Sequence, residues 1–468
     1  INKDLFLGVK TMKYLLKNGT VVTGEKSEQL DILVEGEKIV QVGKDLPSEE
    51  AQEIDVSGKI LFPGFIDGHT HFDLEVAGTV TADDFETGTK AAILGGTTFV
   101  IDYASQDKGG HTLKEGLDKW HKKADDKCSC DYSFHMSIVE WNENTEQEIQ
   151  DMIDHGITSF KLYMTYPAMI VNDCDMYKIL KKLGKCGCFA GVHCENAGVI
   201  DALIAEAKKE GRLGPENHPL VRPDTMEAEA VHRLLVIARE ADAPVMVVHL
   251  TNKKAFEEVM HARANGQKVY AETCPQYLLL DDSVYTKPDF QGAVYVCAPP
   301  IRKKEDQDCL WEALSREDIQ TVATDQCSFT LAQKALGKDD FTKIPVGLPG
   351  VQTRGTLLYT YGVKEGRITQ EQMCKLLSEN PAKLYGVYPQ KGVLAPGSDA
   401  DIVVLDPEKE SVISAATHAY NTDNNPFEGI RLRCGIDKVF LRGSLTVDDG
   451  RLVKEKLGKY IARGKKQM

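Results

Sequence analysis

No run in this sequence approaches the 18 or so consecutive apolar residues that a membrane helix needs. The first eleven residues, Ile1 to Thr11, set Lys3, Asp4 and Lys10 among a few apolar side chains and lack the apolar stretch of a secretory signal. With Met12 standing before the first convincing strand, they read as a leader outside the fold. A basic surplus is missing too. Acidic residues number 71 against 56 basic ones, and the net charge of −15 has the wrong sign for a general binder of nucleic acid or anionic membrane. The basic residues after Arg451 (Lys454, Lys456, Lys459, Arg463, Lys465, Lys466) are expected to form a solvated tail over 451–468. Repeats and low-complexity tracts are absent. Twelve cysteines are dilute in 468 residues, and the C-x-C pairs Cys128/Cys130 and Cys186/Cys188 do not make the repeated C-x-x-C of a structural zinc site. Reduced, mostly buried thiols are expected, and with them a cytoplasmic protein.

What is present is a globular composition, 42% apolar and 27% charged, which excludes wholesale disorder. The length accommodates one barrel of about 250 residues plus a smaller domain. Eight apolar, β-branched-rich runs alternate with segments of helical spacing: Leu61–Ile66, Thr98–Asp102, Tyr132–Ile138, Ile157–Tyr163, Phe189–His193, Val245–His249, Lys268–Glu272 and Ile319–Ala323. Thr145 with Glu148 reads as a capping box, with Gly156 as the stop. From Glu227, residues Val231, Leu234, Leu235 and Ala238 share one helical face. Strands alternating with helices imply crossover connections, and eight such units close a (β/α)8 TIM barrel, placed here at 61–390.

The flanks are hairpin-rich instead. Tyr14–Val22, Asp31–Glu35 and Lys38–Val42 lie at one end, Asp401–Leu405 and Lys438–Arg442 at the other. Neither flank buries a core alone. Segments 12–60 and 391–450 are therefore expected to combine into one small β-sandwich-like domain, with Gly392 to Ser398 as the return linker.

Chemistry-bearing residues stand where the apolar runs stop. Asp67-Gly68-His69-Thr70-His71 puts two imidazoles on one face of an extended segment. Lys161, His193, His249 and Asp325 occupy the ends of the fourth, fifth, sixth and eighth runs. Parallel barrel strands all open their C-terminal ends on one mouth, so these residues converge. Alone, His193 or His249 reads as a hydrogen-bonded core histidine, Asp325 as a helix cap and Lys161 as a snorkelling or ion-paired lysine. Together they favour a metal centre. Four histidines and a carboxylate exceed the needs of one tetrahedral ion with an open position, so two divalent ions are expected, zinc first, with manganese, iron or cobalt as alternatives.

Five stretches in order carry a resemblance over about Lys13 to Asp448. They are Pro63-Gly64-Phe65-Ile66-Asp67-Gly68-His69-Thr70-His71, Thr79-Val80-Thr81-Ala82-Asp83-Asp84-Phe85, Phe160-Lys161-Leu162-Tyr163-Met164, Glu272-Thr273-Cys274-Pro275-Gln276-Tyr277 and Asn380-Pro381-Ala382. The sequence resembles the dihydropyrimidinases and hydantoinases, the cyclic-amide branch of the amidohydrolase superfamily. The resemblance implies that carbon dioxide carboxylates Lys161 to N6-carboxylysine, an anion bridging two metals. It assigns His69, His71 and Asp325 to one ion and His193 and His249 to the other. A metal-bridging hydroxide would then open the ring of a cyclic amide or ureide to an N-carbamoyl amino acid. Asp325 would carry the proton and Tyr166 would donate to the oxyanion. A homotetramer, or a homodimer, is implied on the same basis.

Three positions depart from the family pattern. Ala298 stands where Ser is usual, in Cys297-Ala298-Pro299-Pro300. Val346 replaces Asn in Pro345-Val346-Gly347, and Gln326 replaces His after Asp325. The family holds the substrate's imide at the first two positions largely through backbone groups, so Ala298 and Val346 remain substrate-binding candidates beside Tyr166. Alternatives are an allantoinase- or dihydroorotase-like hydrolase, or a non-catalytic scaffold of the same fold. The Lys161-to-Tyr166 spacing favours the dihydropyrimidinase branch, and the filled ligand positions argue against a scaffold.

Overall fold

The computed structural model describes residues 12–47, 50–76 and 78–468. The expected leader, residues 1–11, lies outside the described residues. Eight parallel strands form the central sheet: β1 Phe65–Thr70, β2 Thr97–Ser105, β3 Asp131–Ser137, β4 Ser159–Tyr163, β5 Phe189–His193, β6 Val245–Val247, β7 Val269–Thr273 and β8 Thr321–Val322. They pair in sequence order. The ring closes through a parallel bridge between Thr70 and Gln326, where the His71 N–H donates to the Gln326 carbonyl at 2.8 Å. This is the expected (β/α)8 barrel.

Both chain ends meet in one nine-stranded sheet. Ile60–Pro63 lies between Lys13–Val22 and Ile402–Asp406, and Gly435–Leu441 extends the sheet beyond the latter. Leu16, Val34, Leu61, Ile402, Val404 and Phe440 are among its core residues. The apolar run Leu61–Ile66 is thus divided: Leu61 and Phe62 belong to this sheet, and Phe65 and Ile66 begin the barrel. Gly64 is the pivot. Its N–H donates to Asp401, and a Cβ there would come within 2.0 Å of Thr98 Oγ1.

Two local readings change. The helix Thr145–Asp154 has Asn144 at its N-cap, with no side-chain capping bond. Thr145 accepts from the Asn142 N–H instead, and Glu148 accepts from Leu113 N at the start of the neighbouring helix. The second concerns the tail, which is not a solvated end. Tyr132 N donates to the Lys459 carbonyl and Ile461 N to the Tyr132 carbonyl, laying the tail against the N-terminal end of β3. Arg463 is 4% exposed. Its guanidinium donates to Ser133 Oγ at 2.9 Å and Ser159 Oγ at 2.8 Å. Five donors in a planar fork suit such a polar barrel floor better than water does once the surrounding aromatics are in place. Arg463→Met leaves these acceptors unpaired and is expected to cost about 2–4 kcal/mol. The check is calorimetric unfolding, with the exposed Lys454→Ala as a control within about 0.5 kcal/mol of the parent.

No helix among the described residues is long and apolar enough to cross a membrane. All twelve cysteines are free, ten of them inside the main core or packed at its edges and only Cys174 exposed.

Candidate metal centre

The barrel brings all the ligand candidates to one mouth. His69 Nε2 and His71 Nε2 each lie 3.1 Å from Asp325 Oδ1. Lys161 Nζ is 3.5 Å from His69 Nε2, over the Tyr103 ring at 4.7 Å. The rings of His193 and His249 are 4.6 Å apart, and those of His69 and His249 are 5.4 Å apart. Donor atoms of His69, His249 and Asp325 all fall within 4.8 Å of one another. Tyr166 packs edge-on against His193 at 5.2 Å.

Local backbone serves this convergence. The ladders of β6 and β8 stop at Val247 and Val322, so His249 and Asp325 stand just beyond them. Both take left-handed backbone, with φ of 38° and 55°, and Tyr166 does the same at 69°. Such conformations in residues with a Cβ cost about 1–3 kcal/mol each and persist only where the surroundings over-determine them. Gly68 is needed for close approach, because a Cβ there would sit 2.4 Å from the Tyr385 ring.

Burial sets the protonation states. It draws His71 down to about 4, against the opposing pull of Asp325. It also lowers His193 and takes His249 well below the ordinary imidazole value. These are neutral rings with free lone pairs, the form that binds metal. Burial and Lys161 press His69 the same way, but the carboxylates Asp325 and Glu272 outweigh them and raise it. Burial takes Lys161 down to about 8 although Asp325 and Glu272 oppose it. A share of this amine is therefore neutral near pH 7, and a neutral amine is a nucleophile. Burial raises the Tyr166 hydroxyl far above its usual range, keeping it a hydrogen-bond donor.

Carboxylates that sequence reasoning left without a role hold the imidazoles. Glu272 Oε1 is 2.6 Å from His69 Nδ1. Glu195 Oε2 is 2.7 Å from His193 Nε2 and accepts from Arg222 at 2.6 Å. Burial raises Glu195, yet Arg222 and His193 more than offset it and bring it to about 2. Asp102 accepts from Thr70, Phe72 and Trp120, each at 2.9 Å, and so fixes the segment carrying His71. A charge at the end of an apolar run was the available signal for Glu272 and Asp102, as it was for Lys161.

Gln326 has a packing role. Its Oε1 accepts from Gly350 N and Val351 N, and its Nε2 donates to Asp83. Ala298 and Val346 line the same cavity as the ligands, a space of about 840 Å³ whose wall also includes Leu74, Trp120, Met169 and Ile344.

The donor set fits a metal pair. The neutral imidazoles of His71, His193 and His249, the carboxylate-held His69, an ionised Asp325 and a partly neutral lysine meet in one dry site. Among the described residues, three buried atoms around it lack any hydrogen-bond partner: His249 Nδ1, Glu195 Oε1 and Glu272 Oε2. A second carboxylate group, Asp131, Asp399 and Asp401, does not compete, because the Lys391 ammonium already pairs with all three.

A barrel with these residues at its mouth matches the amidohydrolase family over residues 60–446, and the chain belongs to that family. It is similar to the D-hydantoinase of Geobacillus stearothermophilus, 43% identical over 458 residues and 97% of each chain. The D-phenylhydantoinase of Escherichia coli (strain SE11) is 40% identical over 456 residues, 97% of this chain and 98% of that one. Among solved structures, dihydropyrimidinase from Brevibacillus agri NCHU1002 superposes with a TM-score of 0.96 at 42% identity, covering 98% of this chain and 100% of the other.

Proposed function

We propose that the protein is a metal-dependent cyclic amidohydrolase that opens a hydantoin or dihydropyrimidine ring to an N-carbamoyl amino acid. The observation that carries this reading is a lysine buried among four imidazoles and a carboxylate at one barrel mouth. In this reading His69, His71 and Asp325 hold one divalent ion and His193 and His249 a second. Lys161, carboxylated by carbon dioxide, serves both. Zinc suits the donors, though imidazole and carboxylate also accept manganese, iron or cobalt. When bound, such a pair lowers the pKa of water and polarises a carbonyl.

The chain's own groups do the rest. Asp325 takes a proton from the attacking water and delivers it to the ring nitrogen as the C–N bond breaks, so the water oxygen ends in the new carboxylate. Tyr166 donates to the carbonyl oxygen as negative charge grows there. Backbone groups at Ala298 and Val346 hold the imide edge, which is why the loss of the Ser and Asn side chains is tolerated. The apolar wall of Leu74, Met169 and Ile344 receives an uncharged ring substituent.

Rings with an acidic substituent fit less well. Among the cations facing the cavity, Lys108 donates to the carbonyls of Pro167 and Ile170, Arg222 pairs with Glu195 and Lys119 pairs with Glu75. For assembly we favour a homotetramer, with a homodimer as the alternative, and exposed apolar side chains such as Leu220 and Leu336 are candidates for such a contact. Leu220 and Leu336 are 61% and 56% exposed. The free thiols fit a reducing, cytoplasmic setting.

Protein loaded with zinc and bicarbonate is expected to consume hydantoin or dihydrouracil and leave allantoin and dihydroorotate nearly untouched. Chelation is expected to cut the rate at least 100-fold, with recovery on adding back both metal and bicarbonate. Ring loss is followed by ultraviolet absorbance and product by mass. A metal-replete protein inert on every ring overturns the reading.

A further inference from the structure

Behind the wall that carries Ala298 and Val346 lies Lys334, at the end of the short helix Leu331–Lys334. It is 2% exposed and, among the described residues, no ion pair joins it. Its Nζ donates instead to three backbone carbonyls: Val296 at 2.9 Å, Pro345 at 2.8 Å and Gly347 at 2.9 Å. An ammonium has three N–H groups and a neutral amine two, so three carbonyl acceptors match the charged form. Burial draws the amine down to about 7, with the neighbouring Cys297 and Cys327 opposing it. An uncompensated buried cation is costly, and an apolar side chain of similar length would spare that cost but strand three carbonyls.

The three acceptors belong to two loops, one leading into Ala298 and one flanking Val346. Gly347 N also donates to the Val296 carbonyl at 3.0 Å, stitching the loops together. Gly347 has φ 150°, and a Cβ there would lie 2.3 Å from the Cys327 carbonyl oxygen, so the loop is seated without slack. In a planar trans peptide the N–H points opposite to the C=O. Turning the Pro345 carbonyl toward Lys334 therefore turns the Val346 N–H away from it. Val346 lines the cavity and Lys334 does not. Among the described residues the Val346 N–H has no backbone partner.

We propose that Lys334 is a positioning residue for the substrate: its ammonium clamps the Val296, Pro345 and Gly347 carbonyls so that the Val346 N–H is presented to an imide carbonyl of the ring. The positive charge at the carbonyl end polarises the Pro345–Val346 peptide and makes that N–H a stronger donor. This rests on the cyclic-amide reading above.

The test compares Lys334→Met and Lys334→Arg with the parent, all metal-loaded, on hydantoin and dihydrouracil. Lys334→Met is expected to raise KM about 10-fold with kcat within threefold and metal content unchanged, and Lys334→Arg to return KM toward the parent. If Lys334→Met does not fold, Lys334→Gln is read the same way. Hydrogen exchange gives a readout independent of ring chemistry. Peptides covering 296–299 and 345–348 should exchange about 10-fold faster in the variant, with 67–71 unchanged. A KM within twofold of the parent, a fall in kcat accompanied by metal loss, or unaltered exchange overturns the proposal. A parent inert on every ring, with the exchange effect intact, would instead fail the cyclic-amide reading and leave the clamp standing.

Discussion

Asp325→Asn is expected to lower kcat for ring opening by about 10³-fold, within the 10²–10⁴ that a positioned acid–base group contributes. Asparagine keeps the shape and can still accept from His69 and His71, whose Nε2 atoms lie 3.1 Å from Asp325 Oδ1. It cannot take up a proton. Burial raises the Asp325 carboxyl, but His69 and His71 outweigh burial and hold it well below the ordinary range, so it is ionised across neutral pH. A purely structural role for Asp325 would leave kcat nearly unchanged once metal content matched the parent. Metal analysis on the same samples separates lost proton transfer from a lost ligand. Parent and variant with equal metal and equal kcat would remove Asp325 from the proton path.

How far the sequence reached depends on which interactions are local. The eight strands and the convergence of His69, His71, Lys161, His193, His249 and Asp325 were legible because parallel strands closing a barrel must open their C-terminal ends on one mouth. The division of Leu61–Ile66 between two sheets was not, since nothing in an apolar run marks where its partner changes. Gly64 marks it only in three dimensions, through Thr98 and Asp401. The tail misled for a similar reason. Its charge predicts solvent, yet Arg463 finds Ser133 and Ser159 some 300 positions away. Lys334 was silent because all three of its partners are backbone carbonyls, which every residue possesses. Glu195 and Glu272 could have been read by the argument that singled out Lys161: a charge among apolar neighbours needs a partner, and the imidazoles were the candidates.

Because a buried charge needs a partner, Lys161→Met has an outcome that a plain loss of function does not. On the proposed reading, activity and metal binding are expected to fall below detection, because methionine can be neither carboxylated nor shared by two ions. Stability should move in opposite directions under two conditions. In metal-stripped protein at low carbon dioxide, Lys161 is a buried amine whose pKa falls from 10.5 to about 8, since burial outweighs Asp325 and Glu272. A lysine lowered on folding binds its proton less tightly in the folded state, so it costs stability wherever the unfolded chain is protonated. The cost is full below about pH 8 and fades as pH rises toward 10.5. At 1.36 kcal/mol per pKa unit this is about 3 kcal/mol, and methionine removes it. Stripped Lys161→Met should therefore unfold at a higher temperature than the stripped parent at pH 7, with the gap closing near pH 10. With metal and bicarbonate added, only the parent gains ligand-linked stability, and the order reverses. Thermal unfolding of the two proteins with and without zinc and bicarbonate checks the crossing. A variant less stable than the parent in both conditions would mean that Lys161 is paid back by its uncarboxylated contacts, and the bridging role would lose its physical motive.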